Sequence, residues 1–333
     1  MTYFIKTLGC KVNQYEASAI EAKLTAAGFA VSSDTKSADV CIVNTCAVTA
    51  KAEQKCRQAL HKLRRENPSS LIILTGCMAK LHDTVDGADI VTYDKQGLTE
   101  IVCKHFGIAP PNIDNFFAEN AYDGRSKAYV KIQDGCDRFC TYCIIPYTRG
   151  APKSKPIDEI VHECSALAAK GYDEVVLCGI NMCLYGVDTQ GDLYDALTAA
   201  AGIDGIDRIV LSSLEPDLLT IKLLDKLTSV EKLVPQFHIS LQSGSDSVLT
   251  RMGRRYTAAD YAKIIRYLRK KYDEPIITTD VITGFVGETA EERKESEKFV
   301  DNIGFKHVHR FPYSVRPGTA AAEMIKNIKK AGR

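Results

Sequence analysis

Residues 129–150 read Tyr-Val-Lys-Ile-Gln-Asp-Gly-Cys-Asp-Arg-Phe-Cys-Thr-Tyr-Cys-Ile-Ile-Pro-Tyr-Thr-Arg-Gly. This stretch sets Cys136, Cys140 and Cys143 in a CxxxCxxC spacing directly after a short apolar strand, on a loop with a glycine at each end. Three thiols are one ligand short of a closed zinc site or of a fully cysteine-held [4Fe-4S] cluster. No Cys or His follows within the next eighteen residues to complete the set. The spacing therefore predicts a three-thiolate centre with an open coordination position. The alternatives are a zinc loop with a distant fourth ligand and three thiols packed together by chance.

Working outward, a chain of 333 residues with a net charge of +1 and 26% charged residues is long enough for two buried cores and carries no global basic signature. Any nucleic-acid partner must be held by local patches. The chain has twelve cysteines, but its start, Met-Thr-Tyr-Phe-Ile-Lys-Thr-Leu-Gly-Cys, lacks the apolar core and cleavage site of a secretion signal. This points to a reducing cytoplasm, where cysteine richness means metal or redox chemistry rather than a disulfide framework. No apolar run approaches the roughly 18 residues of a bilayer span, so neither a membrane nor DNA is an expected partner.

Upstream, residues 2–5, 39–43 and 71–75 read as strands, with helices between them over 14–27 and 51–66. Cys10, Cys46 and Cys77 each follow one of these strands. Alternating strands and helices build a parallel sheet whose carboxyl ends gather on one edge, so three cysteines distant in sequence should converge there. Three unrelated buried thiols are the alternative. Cys41, Cys56, Cys103 and Cys164 lie on apolar faces and read as structural; so do Cys178 and Cys183, which bracket a loop at a strand end, with an approach to the site as their alternative. The helix over 51–65 carries Lys51, Lys55, Arg57, Lys62, Arg64 and Arg65, either a solvated face or a phosphate contact.

Residues 108–124 lack periodicity and contain two prolines, marking a linker between domains at 1–107 and 125–333. Beyond it, strands at 128–132, 174–178, 208–212, 236–241, 276–282 and 306–312 alternate with helices at 156–170, 193–200, 217–227, 257–271 and 289–302. Six such units are too few for an eight-stranded barrel, so the expected fold is α/β, an N-terminal parallel-sheet domain followed by a partial (β/α)6 barrel with its chemistry at the carboxyl-end loops. Those loops bring Gly179, Asn181, Glu215, Gln242, Ser243 and Asp280 forward as polar candidates.

Taken together, these residues resemble the radical S-adenosylmethionine (SAM) methylthiotransferases. The likeness covers essentially the whole chain: Thr7-Leu-Gly-Cys-Lys-Val-Asn-Gln-Tyr-Glu16, Asn44-Thr-Cys46, Gly76-Cys77, the 129–150 stretch, Leu241-Gln-Ser-Gly-Ser245 and Arg316-Pro-Gly-Thr319. The resemblance implies that Cys136, Cys140 and Cys143 hold a [4Fe-4S] cluster whose free iron binds SAM and from which a 5'-deoxyadenosyl radical is generated. It implies that Cys10, Cys46 and Cys77 hold an auxiliary [4Fe-4S] cluster that delivers sulfur. Tyr142, Gly179, Asn181, Glu215, Gln242 and Ser243 become cofactor-binding candidates, and Asp280 and Arg149 catalytic ones.

Within the family, Gly-Cys-Lys-Val-Asn and Ser-Ser-Leu-Glu-Pro look like the branch acting on N6-threonylcarbamoyladenosine at position 37 of the tRNA anticodon loop. A low-potential donor of the flavodoxin type and a sulfur source are the further implied partners. The carboxylate of that substrate calls for a cation, and Arg149 and Arg316 are the candidates. Arg254, Arg255, Lys263, Arg266, Arg269, Lys270 and Lys271 are candidates for phosphate contact. The sequence departs from the family at Val286, where proline is usual, and at residues 325–333, where the family continues into a small RNA-binding β-barrel (TRAM). A zinc-binding RNA-interaction module without catalysis is the alternative from another class; within the family, so are an isopentenyladenosine substrate and a ribosomal-protein aspartate.

Overall fold

The structure, a computed structural model, describes residues 1–112 and 127–331; the expected linker lies beyond these from residue 113 to 124. The first half runs β1 (Thr2–Thr7), α1 (Lys11–Ala26), β2 (Ala30–Val31), β3 (Val40–Thr45), α2 (Ala50–Glu66), β4 (Leu71–Gly76), β5 (Ile90–Val91) and α3 (Leu98–Phe106). Next come β6 (Ala128–Lys131), β7 (Gln133–Asp134), α4 (Ile145–Arg149), β8 (Lys153–Ser154), α5 (Ile157–Ala169), β9 (Glu174–Cys178), α6 (Leu193–Ala201), β10 (Arg208–Leu211), β11 (Ser213–Leu214) and α7 (Ile221–Leu227). The rest is β12 (Gln236–Ile239), α8 (Asp246–Arg251), α9 (Ala258–Lys271), β13 (Ile276–Thr283), α10 (Ala290–Ile303), β14 (His307–Pro312) and α11 (Ala320–Ala331). The chain divides into two compact units, Met1–Val130 and Lys131–Arg333.

The first unit is a parallel five-stranded sheet in the order β2-β1-β3-β4-β5. Successive side chains of a strand point to opposite faces. Cys41 and Val43 of β3 accordingly pack with Cys56, Leu60 and Leu63 of α2. Val40 and Ile42 pack on the other face with Ile20 and Leu24 of α1 and Val102 and Cys103 of α3. With both faces covered, β3 and β4 are buried throughout, which explains their unbroken apolar runs. The two-residue strands β2 and β5 and the helix α3 add to what the periodicity reveals.

Besides the two-stranded antiparallel pair of β7 and β8, two further sheets share one strand path. One has the order β10-β9-β6 and the other β11-β12-β13-β14. The strand expected over 208–212 is two pieces: the amide of Ser212 still donates to Leu177 at 3.0 Å, while Leu214 accepts from the Ser240 amide at 3.2 Å. The chain thus passes from the first sheet to the second within three residues. This gives six strand positions in chain order, the open (β/α)6 arrangement. The helix expected from 217 begins at Ile221, where the Thr220 hydroxyl caps it by accepting from the Leu223 amide at 3.2 Å.

Thr289 and Glu292 form a capping box at the start of α10. The same Glu292 takes a two-pronged contact from Arg251, at 2.8 and 2.6 Å, at the end of α8. The Arg251 contact, with a hydrogen bond from Ser247, holds the Glu292 carboxyl down at about 2. This lies below its unfolded value of about 4.3, so the stability it contributes is complete above that pH and is lost as the pH falls through the folded value. The stability advantage of the native chain over Glu292→Gln should therefore shrink between pH 5 and pH 2 in urea titrations. An advantage constant across that range would show that the pair contributes no charge interaction.

Candidate metal centres

In the second unit the loop after β7 carries Cys136, Cys140 and Cys143, and backbone contacts fix it at several points. The Cys136 amide donates to Gly150 O at 3.0 Å, and the Cys143 amide to Cys140 O at 2.9 Å. Thr141 is tied on three sides: its amide donates to Met252 O at 2.9 Å, its hydroxyl to Arg251 O at 2.9 Å, and its carbonyl accepts from the Ala321 amide at 2.8 Å. Gly135 has φ +73°, and a Cβ there would collide with the Ala151 carbonyl, so the loop's glycine entry is obligatory. Phe139 also takes a left-handed φ of +48°, a conformation uncommon outside glycine and often found at functional sites.

Two of the three thiols are held above the ordinary cysteine range by burial. Burial pushes Cys143 up to about 12, with Cys140 and Cys136 adding to the shift because the sulfurs lie close together. Burial also raises Cys136, against hydrogen bonds from the Arg138 amide and the Asn181 side chain. Such thiols release their protons to an incoming metal.

In the first unit, Cys10, Cys46 and Cys77 stand just past β1, β3 and β4. The loops that hold them are tied together. Asn13 Nδ2 donates to Asn44 Oδ1 and to Thr45 O, both at 3.0 Å, and Asn44 Nδ2 donates back to Asn13 O at 2.8 Å. The Met78 amide donates to the Thr45 hydroxyl at 3.3 Å, and the Cys10 thiol donates to Asn13 Oδ1 at 3.2 Å. A Cβ on Gly9 would lie 3.2 Å from that of Cys46, and one on Gly76 (φ +91°) would run into the Thr45 backbone. Burial pushes Cys46 up to about 12, with Cys77 and Cys10 among the neighbours that add to it. Cys10 and Cys77 are thus both electrostatic neighbours of Cys46, each past the end of a strand of the same sheet.

Among the described residues no group of three or more His, Cys, Asp or Glu converges on one ion position. Each triad brings three sulfur donors, one fewer than a closed zinc site or a fully cysteine-held [4Fe-4S] cluster takes. Near the second-unit loop, Asn181 Oδ1 is buried and has no protein partner, leaving an acceptor for a donor on a bound group. A Cβ on Gly179 would meet Gln133 Cβ at 2.9 Å, so the glycine permits the close passage of this loop.

The other candidates are placed unevenly. Tyr142 packs edge-on against Phe285 with ring centroids 6.3 Å apart. Gln242 holds φ +66°, and its amide donates to Asp280 O at 2.8 Å. Ser243 turns away into the fold, accepting from the Ser245 amide at 3.2 Å and approaching Ser296 Oγ at 3.5 Å, so its hydroxyl shapes a turn. Asp280 lies 3.2 Å from His238 Nε2, a partner that sequence reasoning missed. Glu215 is engaged by Arg254, its carboxyl raised by burial. Cys183 accepts a hydrogen bond from the Glu215 amide at 3.5 Å. Val286, the departure from proline, is buried in a cluster with Val248, Met252 and Phe285, so its loop is packed rather than loosened.

Three of the candidate cations are buried. The side chain of Arg149 is fully buried and reaches both oxygens of Asp134, at 2.8 and 3.1 Å, which makes it a brace for the cysteine loop. Arg254 is 4% exposed, so it is not a phosphate contact. Arg316 is also buried. Of the basic faces, Arg57 pairs with Glu53, Arg64 with Asp89 and Lys263 with Asp260. Arg269 donates to Ile303 O and Gly304 O. Lys51, Lys55, Arg65, Arg255, Arg266, Lys270 and Lys271 are exposed.

Residues 130–300 match the profile of the Radical SAM superfamily and residues 2–91 that of "Uncharacterized protein family UPF0004". The fold is shared with the radical SAM methyltransferase TsrM of Kitasatospora setae, at a TM-score of 0.69 and 14% identity over 96% of this chain and 76% of that one. Barrel and cysteine loop together define a radical SAM enzyme. The threonylcarbamoyladenosine tRNA methylthiotransferase MtaB of Chlamydia pneumoniae is 38% identical, covering 96% of this chain and 76% of that protein. The tRNA-2-methylthio-N(6)-dimethylallyladenosine synthase of Desulfotalea psychrophila is 34% identical, covering 99% and 80%. This chain belongs to the radical SAM methylthiotransferases, transferases that use SAM and a [4Fe-4S] cluster.

If Arg149 is a brace, Arg149→Met leaves Asp134 short of its main partner and should destabilise the second unit by about 1–3 kcal/mol. The loss should appear as a lower thermal midpoint, and Asp134→Asn in the same chain should restore part of it. Impaired turnover of one tRNA at an unchanged midpoint would return Arg149 to substrate binding.

Proposed function

We propose that this chain inserts a methylthio group at the 2-position of N6-threonylcarbamoyladenosine in the tRNA anticodon loop, using SAM and two [4Fe-4S] clusters. What supports the proposal is the presence of two cysteine triads in one chain, one on the loop after β7 and one spread over the positions that follow β1, β3 and β4. Cys136, Cys140 and Cys143 would hold the cluster that serves SAM, and Cys10, Cys46 and Cys77 the auxiliary one. When bound, these groups supply a carbon-centred radical, a methyl group and a seat for the incoming sulfur. Electrons would come from a low-potential donor of the flavodoxin type, and sulfur from a separate source.

The protein's own share is to position and to shield. Asn181 offers a buried acceptor, Gly179 clears the way for the backbone, and the Asn13–Asn44 exchange holds the first triad's loops. One face of β12 and β13 is polar. Phe237, Ile239, Ile277 and Val281 are buried, whereas His238, Thr278 and Asp280 alternate with them and keep some exposure. His238 Nδ1 meets Thr278 at 3.0 Å, and its ring lies 6.2 Å from that of His309. An isopentenyl pocket should be apolar, whereas a threonylcarbamoyl group, with its hydroxyl, amides and carboxylate, needs polar partners. The match to a protein named for threonylcarbamoyladenosine, at 38% identity, supports the same branch.

Anaerobic reconstitution should give a brown protein with roughly eight irons per chain, as two [4Fe-4S] clusters require. Alanine at Cys136, Cys140 and Cys143 should remove about half the iron and all reductive SAM cleavage. Alanine at Cys10, Cys46 and Cys77 should remove the other half and spare uncoupled cleavage. Full iron in the second variant would remove the auxiliary cluster from the scheme.

The substrate is decided by mass spectrometry of nucleosides from tRNA bearing either adenosine derivative, after incubation with protein, SAM, reductant and a sulfur source. Methylthio product is expected only on the threonylcarbamoyl tRNA. Product only on the isopentenyl tRNA would overturn the branch and leave the radical chemistry standing.

A further inference from the structure

Arg254 and Arg255 look alike in sequence, yet Arg255 is exposed and Arg254 is sealed in the protein beside the cysteine loop. Gly253, at φ +72°, turns the chain between them and Met252, and a Cβ there would come 3.5 Å from Thr141 Cγ2. The turn is thus pressed against the cysteine loop and locked to it through the three-way bonding of Thr141.

From this position the guanidinium spends its donors on a fixed set of partners. Nη1 donates to Cys140 Sγ at 3.2 Å, Nε to the Tyr256 hydroxyl at 3.1 Å, and Nη2 to Ser240 O at 3.3 Å and to the Glu215 carboxylate. Tyr256 in turn donates to Leu241 O at 2.6 Å, and its ring centroid lies 5.0 Å from the Arg254 guanidinium carbon. A cation with planar, directional donors is held in one orientation by four neighbours, and one of its N–H groups points at sulfur.

We propose that Arg254 is a positioning residue that sets the reduction potential of the cluster held by Cys136, Cys140 and Cys143, through its hydrogen bond to the Cys140 sulfur. The proposal rests on Cys140 being an iron ligand. Reduction adds negative charge to a cluster and its sulfurs, so an N–H donor on a ligand sulfur stabilises the reduced state more than the oxidised one. The nearby Glu215 carboxylate offsets the guanidinium's net charge, which leaves the directed hydrogen bond as the larger influence.

The test is an EPR-monitored redox titration of iron- and sulfide-reconstituted protein without SAM, with the relevant signal assigned as the one that SAM later perturbs. In Arg254→Ala the ratio of reduced to oxidised cluster at a fixed potential should fall on the order of tenfold, equivalent to about 59 mV for one electron. Arg254→Lys keeps the charge but lacks the planar fork and should fall between Ala and native, while the SAM-insensitive signal should not move. An unchanged potential in Arg254→Ala with iron retained overturns the proposal. So does loss of the cluster in Arg254→Ala, Arg254→Lys and Arg254→Gln alike, which would make the residue a folding element. Native protein that takes up no iron would instead refute the ligand assignment beneath it.

Discussion

Parallel strands bonded in register finish at one edge, and that constraint decides where the chemistry of this chain can be. Thr7 pairs with Asn44, Asn44 with Thr75 and Thr45 with Gly76, so the chain leaves β1, β3 and β4 at the same level. Beyond that level the backbone loses its ladder partners and must satisfy its polar groups by other means. Asn13 and Asn44 do so by exchanging bonds across the loops, and the cysteines next to them are held in place as a consequence.

The second unit meets the same requirement differently. Its thiols are local in sequence, so no crossover is needed to gather them, but a loop of that length would be slack without outside support. The support comes from far along the chain: Met252, Arg251 and Ala321 all bond to Thr141. Each such bond contributes about 1 kcal/mol on its own. Together they leave the loop few alternative conformations, which is what a ligand set must have before its metal arrives.

The placement of Cys10, Cys46 and Cys77 just past strand ends was legible in the sequence because its evidence is spacing and order, which folding preserves. Charged side chains were not. Arg149 and Arg254 read as cations free for a substrate or a phosphate, and what engages them, Asp134 in one case and Glu215 with the Cys140 sulfur in the other, is set by tertiary packing. Ser243 sits in a glycine-flanked loop that suggests a ligand grip, but the tight fit of Gly244 against α10 turns its hydroxyl inward. The change of sheet at Ser212 was also hidden, since a run such as Arg-Ile-Val-Leu-Ser-Ser-Leu alternates the same way whether its strand stays in one sheet or moves to another.

One detail of the first triad has an electrical consequence. Cys10 is the N-cap residue of α1, a helix of 16 residues. Aligned peptide dipoles place about half an elementary positive charge at such an end, with an influence that fades within the first turn. The Cys10 sulfur therefore sits where a built-in positive charge would oppose the repulsion among these sulfurs if a metal displaced their protons. That balance depends on a single step of register: an extra residue between Cys10 and Lys11 would keep every cysteine and every strand, yet move this sulfur out of the field that steadies it.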